Sequence, residues 1–406
     1  MPAHQGDAAY YSRRCILLHT THPAPSRLSS PFAPFVVLIP SPLDLTALVR
    51  YPLLGFAADQ RSQPTHEEAN MPTHPGKGDL LRAALERRNT RGPVPYGEMH
   101  FDQGFVCKYY GRPLSAFTWR DELELSLEVG RGLIKPFWYG SIFTTPEGTP
   151  VDTPEKVETM IVRGRLDMGG VPAAEAREMR LAIQACRRAG VVAVVQLGGT
   201  LCYVWRTTSF ERLMTALYTD RPFAELILER TIERQRRCAE AIADLGFEAV
   251  MFSDDISGNM GLFISPDLFR ELIIPGYRRI LEPLVQAGTR IIFHSDGIIT
   301  PVLDDIIACG IAAYQSIEYG LNDLRTIIAR YGDRLSLWGS VNCDVIHAGP
   351  VEEIPRLVRE CLEAASGFPG YVMSTDNSIF EDIPVEHFRL YHRALAECGV
   401  AVEPLG

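Results

Sequence analysis

From Val94 to the C-terminus the chain alternates short apolar runs with longer amphipathic stretches. The runs Val94–Glu98, Leu133–Phe137, Val191–Gln196, Ala249–Ser253, Arg290–His294, Ala312–Ser316, Leu335–Gly339 and Tyr371–Ser374 have the length and bounding residues of strands. The stretches between them read as helices. Pro172 opens Ala173–Ala189, and Ser265-Pro266 supplies a cap and a first-turn proline ahead of Leu268, Phe269, Leu272 and Ile273. Leu303, Ile306 and Ile307 share a helical face within a helix expected over Ile298–Cys309. Strand and helix in strict alternation predict an α/β protein with a parallel sheet. About eight strands is the number that a closed (β/α)8 TIM-type barrel requires. An open, doubly wound sheet is the alternative architecture.

The most informative run is Ile291-Ile292-Phe293-His294-Ser295-Asp296-Gly297. Period-two alternation places Ile292, His294 and Asp296 on one face. An apolar strand that stops on two ionisable groups on the same side is costly unless those groups bind something. In parallel α/β folds the C-terminal ends of strands are where active sites collect. Gly297 permits close backbone approach there.

The first seventy residues follow a different pattern. Met1–Asn70 is rich in Pro, Ser and His, its apolar patches are short, and it is expected to be an irregular, disordered extension or the product of an upstream start. Met71 is followed closely by the helix-like Leu80–Leu85, so residues 71–406 are expected to form the folded domain. At 406 residues and 46% hydrophobic, the chain has enough apolar material for one large domain. A net charge of -10 argues against nucleic acid as a partner, and no apolar run approaches the roughly 18–20 residues of a membrane-spanning helix. The 9 cysteines are scattered, without a CxxC pair, which favours reduced thiols and a cytoplasmic setting.

Polar residues recur at or just after the expected strand ends: Glu98 and His100, Gln196, Asp254 and Asp255, His294 and Asp296, Glu318, Asn342, and Asp376 with Asn377. In a barrel these gather at one mouth. Each also has a plainer reading. His294 fits a core histidine bonded to a carbonyl; one of Asp254 and Asp255 fits a loop cap; His100 and Asp102 fit caps of the next helix. Cys343 fits a free, non-catalytic thiol, and His347, His387 and His392 fit surface positions. Glu98, Asp254, His294 and Asp296 are taken as the catalytic candidates. His100, Gln196, Asp255, Glu318, Asn342, Asp376 and Asn377 are taken as substrate-binding candidates. His294, Asp296 and Glu98 are the candidates for holding a divalent metal such as zinc.

From about Leu80 onward the chain resembles the uroporphyrinogen decarboxylase superfamily, which includes corrinoid-dependent methyltransferases. The resemblance is carried by Phe252-Ser253-Asp254-Asp255, Phe263-Ile264-Ser265-Pro266-Asp267-Leu268-Phe269, Pro275-Gly276-Tyr277 and His294-Ser295-Asp296-Gly297. It continues in Tyr331-Gly332-Asp333, Trp338-Gly339-Ser340-Val341-Asn342 and Ser374-Thr375-Asp376-Asn377-Ser378. It implies a TIM-type barrel with its site at the C-terminal mouth, and commonly a homodimer. The chain departs from both main branches. Where the decarboxylases carry an Arg-Gln-Ala-Gly-Arg motif that holds substrate carboxylates, this chain reads Gly97-Glu98-Met99-His100-Phe101-Asp102. Acidic groups there are expected to repel a poly-anion. Where the thiol methyltransferases use His-x-Cys and a later cysteine to hold zinc, this chain has His294, then Asp296, then Ser374-Thr375, a harder ligand set. The function expected is transfer of a methyl group between a small methylated compound and a partner corrinoid protein. No Asp-x-His-x-x-Gly cobalamin segment is present, so the corrinoid would come from that partner. The alternative is decarboxylation of uroporphyrinogen or a related acid.

Overall fold

The computed structural model describes residues 76–139, 142–162 and 171–405. The expected extension Met1–Asn70 lies outside them. Seven parallel strands form one sheet in sequential order: β1 Leu133–Tyr139, β2 Val192–Gly198, β3 Ala249–Ser253, β4 Arg290–His294, β5 Ile311–Ile317, β6 Ser336–Val341 and β7 Tyr371–Thr375. The eighth position is taken by the expected first strand in reduced form. Pro95–Gly97 makes only bridge contacts, with Gly97 N donating to Met373 O at 2.9 Å and Met373 N donating to Pro95 O at 3.0 Å. On its other side Gly132 N donates to Tyr96 O at 3.0 Å, so this short segment joins β7 back to the start of β1 and closes the curled sheet. Pro93 and Pro95 lack the N–H groups that a full ladder needs, which is why Val94–Glu98 is not a regular strand. The fold is the TIM-like α/β arrangement, and the open sheet is excluded.

Strand alternation sorts the interior into two layers. Leu133, Val192, Val194, Ala249, Met251, Ile292, Ala313, Trp338 and Val372 pack inside the ring with Leu81, Ala84 and Leu85 of the Lys77–Leu85 helix. Their chain neighbours Ile134, Val195, Val250, Phe252, Ile291, Phe293 and Tyr314 face outward and pack in the larger core. Continuing the inward parity toward each C-terminus reaches Lys135, Gln196, Ser253, His294 and Gln315. Apolar side chains therefore fill one end of the barrel and polar ones the other.

Two connecting helices begin where the sequence placed their starts. Ala173–Ala189 begins after Pro172, and Ser265 Oγ accepts from Leu268 N at 3.2 Å to cap Pro266–Leu272. Asp102 caps Gln103–Tyr110 by accepting from Gly104 N at 2.7 Å. The helix expected over Ile298–Cys309 is shorter, Leu303–Ile307. Pro301 biases the residue before it away from helical geometry and delays the start. Among the described residues no helix is long and apolar enough to cross a membrane, and the eight cysteines are free thiols.

Candidate active site

The polar end of the barrel opens into a cleft of about 900 Å³, counted out to its mouth, whose lining includes His100, Lys135, Gln196, Arg206, Asp255, His294, Asp296, Gln315 and Asn377. At its centre is His294, at the end of β4. Its Nε2 lies 3.7 Å from Asp255 Oδ1 and 3.9 Å from Asp296 Oδ1. Its Nδ1 bonds Gln315 Oε1. The orientation of that amide is set by Gln315 Nε2, which donates to Asn377 O at 3.3 Å. Nδ1 therefore carries the proton, and Nε2 is turned toward the two carboxylates.

β4 ends at His294, so Asp296 reaches the cleft by a loop rather than by strand alternation. Asn377 Nδ2 donates to both of its oxygens, at 3.1 and 3.3 Å, and Ser257 Oγ donates to its backbone O at 2.7 Å. Gly297 turns the chain with φ 80°, and a Cβ there would sit 2.6 Å from Ser257 Oγ and 2.7 Å from Gly258 N. Only glycine fits this turn.

One atom of each of Asp255, His294 and Asp296 lies within 4.8 Å of the others, close enough to share an ion. Asp255 Oδ1 is buried without a hydrogen-bond partner, as expected of a group that awaits a ligand. Two carboxylates and an imidazole suit a divalent metal of the harder sort, and zinc lies within their range. Glu98, expected as a metal ligand, is replaced in this set by Asp255.

Of the remaining sequence-based candidates, His100, Gln196 and Asn377 line the cleft, and the others do not. Asp254 is turned away from it. Its Oδ2 accepts from Thr200 N at 2.7 Å, Leu201 N at 2.9 Å and Tyr277 Oη at 2.7 Å, and its Oδ1 accepts from Cys202 N at 2.6 Å. The carboxylate is fully engaged in holding the turn after β2, so the expectation that it shares a pocket with His294 is corrected. Glu98 is corrected on the same ground. Its carboxyl accepts from Thr375 N at 3.0 Å and Thr375 Oγ1 at 2.6 Å, and burial pushes its pKa up to about 7. Glu318 accepts from Gly297 N, and burial and the nearby Asp296 hold it well above the usual carboxylate range. Asp376 accepts from Cys343 N at 2.9 Å and Tyr319 N at 3.2 Å, with burial raising it to about 7. Asn342 Oδ1 caps the next helix through Val345 N at 3.0 Å. These residues support the loops of the mouth from behind. His392, expected at the surface, is buried, with Nε2 on Val129 O at 2.9 Å.

Lys135, Gln315 and Arg206 are cleft residues that the strand-end reading passed over. The first two had a visible signal, since each follows the inward parity of its strand, and Lys135 interrupts the apolar run Leu133–Phe137. Lys135 Nζ donates to Gln196 Oε1 at 2.7 Å, and burial lowers its pKa to about 8. Beneath it, buried Arg131 pairs with buried Glu122 at 2.9 Å and also donates to Met99 O at 3.1 Å, which braces the closing segment. His100 has a buried, unpartnered Nδ1, and its pKa is held well below the ordinary value by burial and then by Lys135. Arg206 Nη2 lies 3.5 Å from Asp255 Oδ2.

Residues 179–398 match the family described as uroporphyrinogen decarboxylase (URO-D). The chain belongs to this family. The matched span covers β2 to β7 and so contains His294, Asp255 and Asp296; the closing segment and Lys135 on β1 precede it. No curated protein matches the chain. Among solved structures, a methyltransferase from Methanosarcina mazei is similar, with TM-score 0.58 and 18% identity over 80% of this chain and 99% of that one. A B12-independent methionine synthase from Shewanella sp. W3-18-1, solved with selenomethionine, reaches TM-score 0.40 and 12% identity over 56% of this chain and 65% of that one. The likeness to the Methanosarcina mazei structure is one of fold and leaves the chemistry of this URO-D family member to be read from its own cleft.

Proposed function

We propose that this URO-D family protein is a methyltransferase that moves a methyl group between a small methylated compound and a separate corrinoid protein. The observation that carries the reading is His294, fixed through Gln315 and facing Asp255 and Asp296 in a cleft at the polar end of the barrel. The partner's corrinoid would supply the centre that exchanges the methyl group. The tasks left to this chain are to hold the donor in line and to make its heteroatom a better leaving group. A second ring proton, held at His294 Nε2 on the side of Asp255 and Asp296 and delivered to that heteroatom, would meet the second need. Asp255, His294 and Asp296 would alternatively hold a divalent metal that acts there as a Lewis acid. The methyltransferase from Methanosarcina mazei, which shares the fold, is consistent with this reading. A homodimer is proposed on the same family grounds.

The case against uroporphyrinogen takes a different form from the one expected. Glu98 and Asp102 do not line the cleft and are bonded to Thr375 and Gly104, so they do not meet a substrate's carboxylates directly. What weighs against a poly-anion is the supply of cations. Of the two in the lining, Arg206 is already near Asp255, which leaves Lys135. The test is to mix the protein with candidate corrinoid proteins and to follow the cobalt spectrum against a panel of methyl donors, with uroporphyrinogen as a parallel substrate. Donor-dependent spectral change is expected, with no coproporphyrinogen formed. Efficient decarboxylation, with a Michaelis constant in the micromolar range, would replace this function with the alternative.

A further inference from the structure

A buried ammonium without a carboxylate of its own stands in the cleft wall. Lys135 is 5% exposed, and among the described residues its Nζ makes one hydrogen bond, to Gln196 Oε1. The carboxylate that acts on it, Glu122, is committed elsewhere. Glu122 Oε1 accepts from Arg131 Nη1 at 2.9 Å and from the backbone N of Lys135 at 2.7 Å. Two buried cations therefore share one buried carboxylate, and the cluster carries an excess positive charge. A buried charge left unpaired is strongly unfavourable, so such a site is completed by an anion.

Two donors are arranged to receive that anion. An ammonium carries three N–H groups, and Gln196 uses one. Because Gln196 Oε1 accepts from Lys135, its own Nε2 is a donor, and it has no partner among the described residues. Both side chains line the cleft that contains His294. Phe117, Trp138 and Tyr203 line it as well and suit a flat or methylated body.

We propose that the cleft takes methyl donors that carry a carboxylate, held by Lys135 and Gln196. The words "methyl donor" rest on the function proposed above; the carboxylate rests on Lys135 and its surroundings.

The experiment is direct binding by calorimetry to the full-length protein, which needs neither corrinoid nor turnover. The probes are para-methoxybenzoate, its uncharged counterpart para-methoxybenzamide, and glycine betaine, whose carboxylate is joined to an aliphatic methylated amine. At least one of the two carboxylates should bind, and which one does separates an aromatic from an aliphatic donor. Lys135→Met should weaken that binding by about 10- to 100-fold, and Lys135→Arg should restore part of it. If para-methoxybenzoate is the one that binds, para-methoxybenzamide should bind more weakly to the wild type and be indifferent to the substitution. Should Lys135→Met fail to fold, Gln196→Leu, which leaves the ammonium in place, should still lower carboxylate affinity several-fold. The proposal is overturned if neither carboxylate binds at about 10 mM. It is overturned equally if para-methoxybenzoate binds and its amide binds wild type as tightly, or if Lys135→Met or Gln196→Leu keeps full affinity for the carboxylate that binds. Carboxylate binding with no methyl transfer to any corrinoid protein would leave this site standing and remove the function. Methyl transfer from the amide as fast as from the acid would do the reverse.

Discussion

Asp254 and Asp255 are adjacent in the chain and follow the end of the same strand, yet their environments assign them opposite parts. Asp254 satisfies three backbone N–H groups and the Tyr277 hydroxyl, whereas Asp255 turns a buried, unpartnered oxygen toward His294. Two substitutions separate these parts. His294→Ala should lower turnover by roughly 10²–10⁴-fold, the size of an acid–base contribution, with the unfolding temperature nearly unchanged. Asp254→Ala should instead cost on the order of 3 kcal/mol or more of stability, because four buried donors lose their acceptor. Its folded fraction should stay active. Urea unfolding paired with turnover per folded molecule checks both. A stable but inactive Asp254→Ala protein would return that residue to the chemistry. At this scale the chain was partly legible. A carboxylate or imidazole at a strand end announces itself in the sequence, and His294 did so clearly. Which of two neighbouring carboxylates faces the cleft is not legible, because beyond the strand end period-two alternation no longer constrains direction.

Among the elements, the closing segment is the most consequential. It makes few hydrogen bonds of its own and is held by side chains from distant parts of the chain. Trp338 Nε1 donates to Gly97 O, Arg131 donates to the carbonyls of Glu98 and Met99, and Glu98 binds Thr375 at the end of β7. A Cβ on Gly97 would lie 2.5 Å from Val372 Cγ1 and 2.7 Å from Trp338 Cζ2, so the segment sits against its neighbours at glycine distance. The buried Glu98 makes this seam sensitive to pH. Its pKa rises from an ordinary 4.5 to about 7, chiefly through burial. The folded state thus holds a proton that the unfolded chain has released, and this contribution to stability is complete below pH 4.5 and is lost as pH rises through about 7. Glu98→Gln cannot ionise and should flatten the decline across that window. Unfolding free energies measured from pH 4.5 to 8 would show it, and equal slopes in the two proteins would refute it. All seven regular strands were legible from apolar runs, and the helix starts at Ala173 and Pro266 from their prolines and the Ser265 cap. The closing segment was legible as an apolar run, but its reduction to bridges depended on where its prolines fell against β7.

For the whole molecule, one ring of strands, one apolar plug and one polar mouth account for the described residues from Lys77 onward. The plug is supplied by the Lys77–Leu85 helix, and Pro95 of the closing segment also bridges to Ala401, so this unit draws on residues from both of its ends. A chain that begins at Met71 should accordingly give a single cooperative thermal transition with the circular dichroism of an α/β protein. Insoluble or non-cooperative product would show that the barrel needs residues before Met71. The function proposed here is also a property of this scale, since the cleft draws its lining from six of the seven regular strands or the loops that follow them.

The sequence by itself determined the α/β class, the order of the strands, the family and the position of His294 at a strand end. These depend on local periodicity, local caps and short motifs, all of which are written in neighbouring residues. Only the tertiary structure decided that Asp255 and not Asp254 joins His294, that Glu98 faces Thr375 instead of the cleft, and that Asp296 returns through Asn377. It also decided that Glu122 serves Arg131 and leaves Lys135 without a carboxylate. The physical reason is common to all four. Each is settled by competition for hydrogen-bond and charge partners drawn from separate strands, and a buried polar group points wherever such a partner can satisfy it.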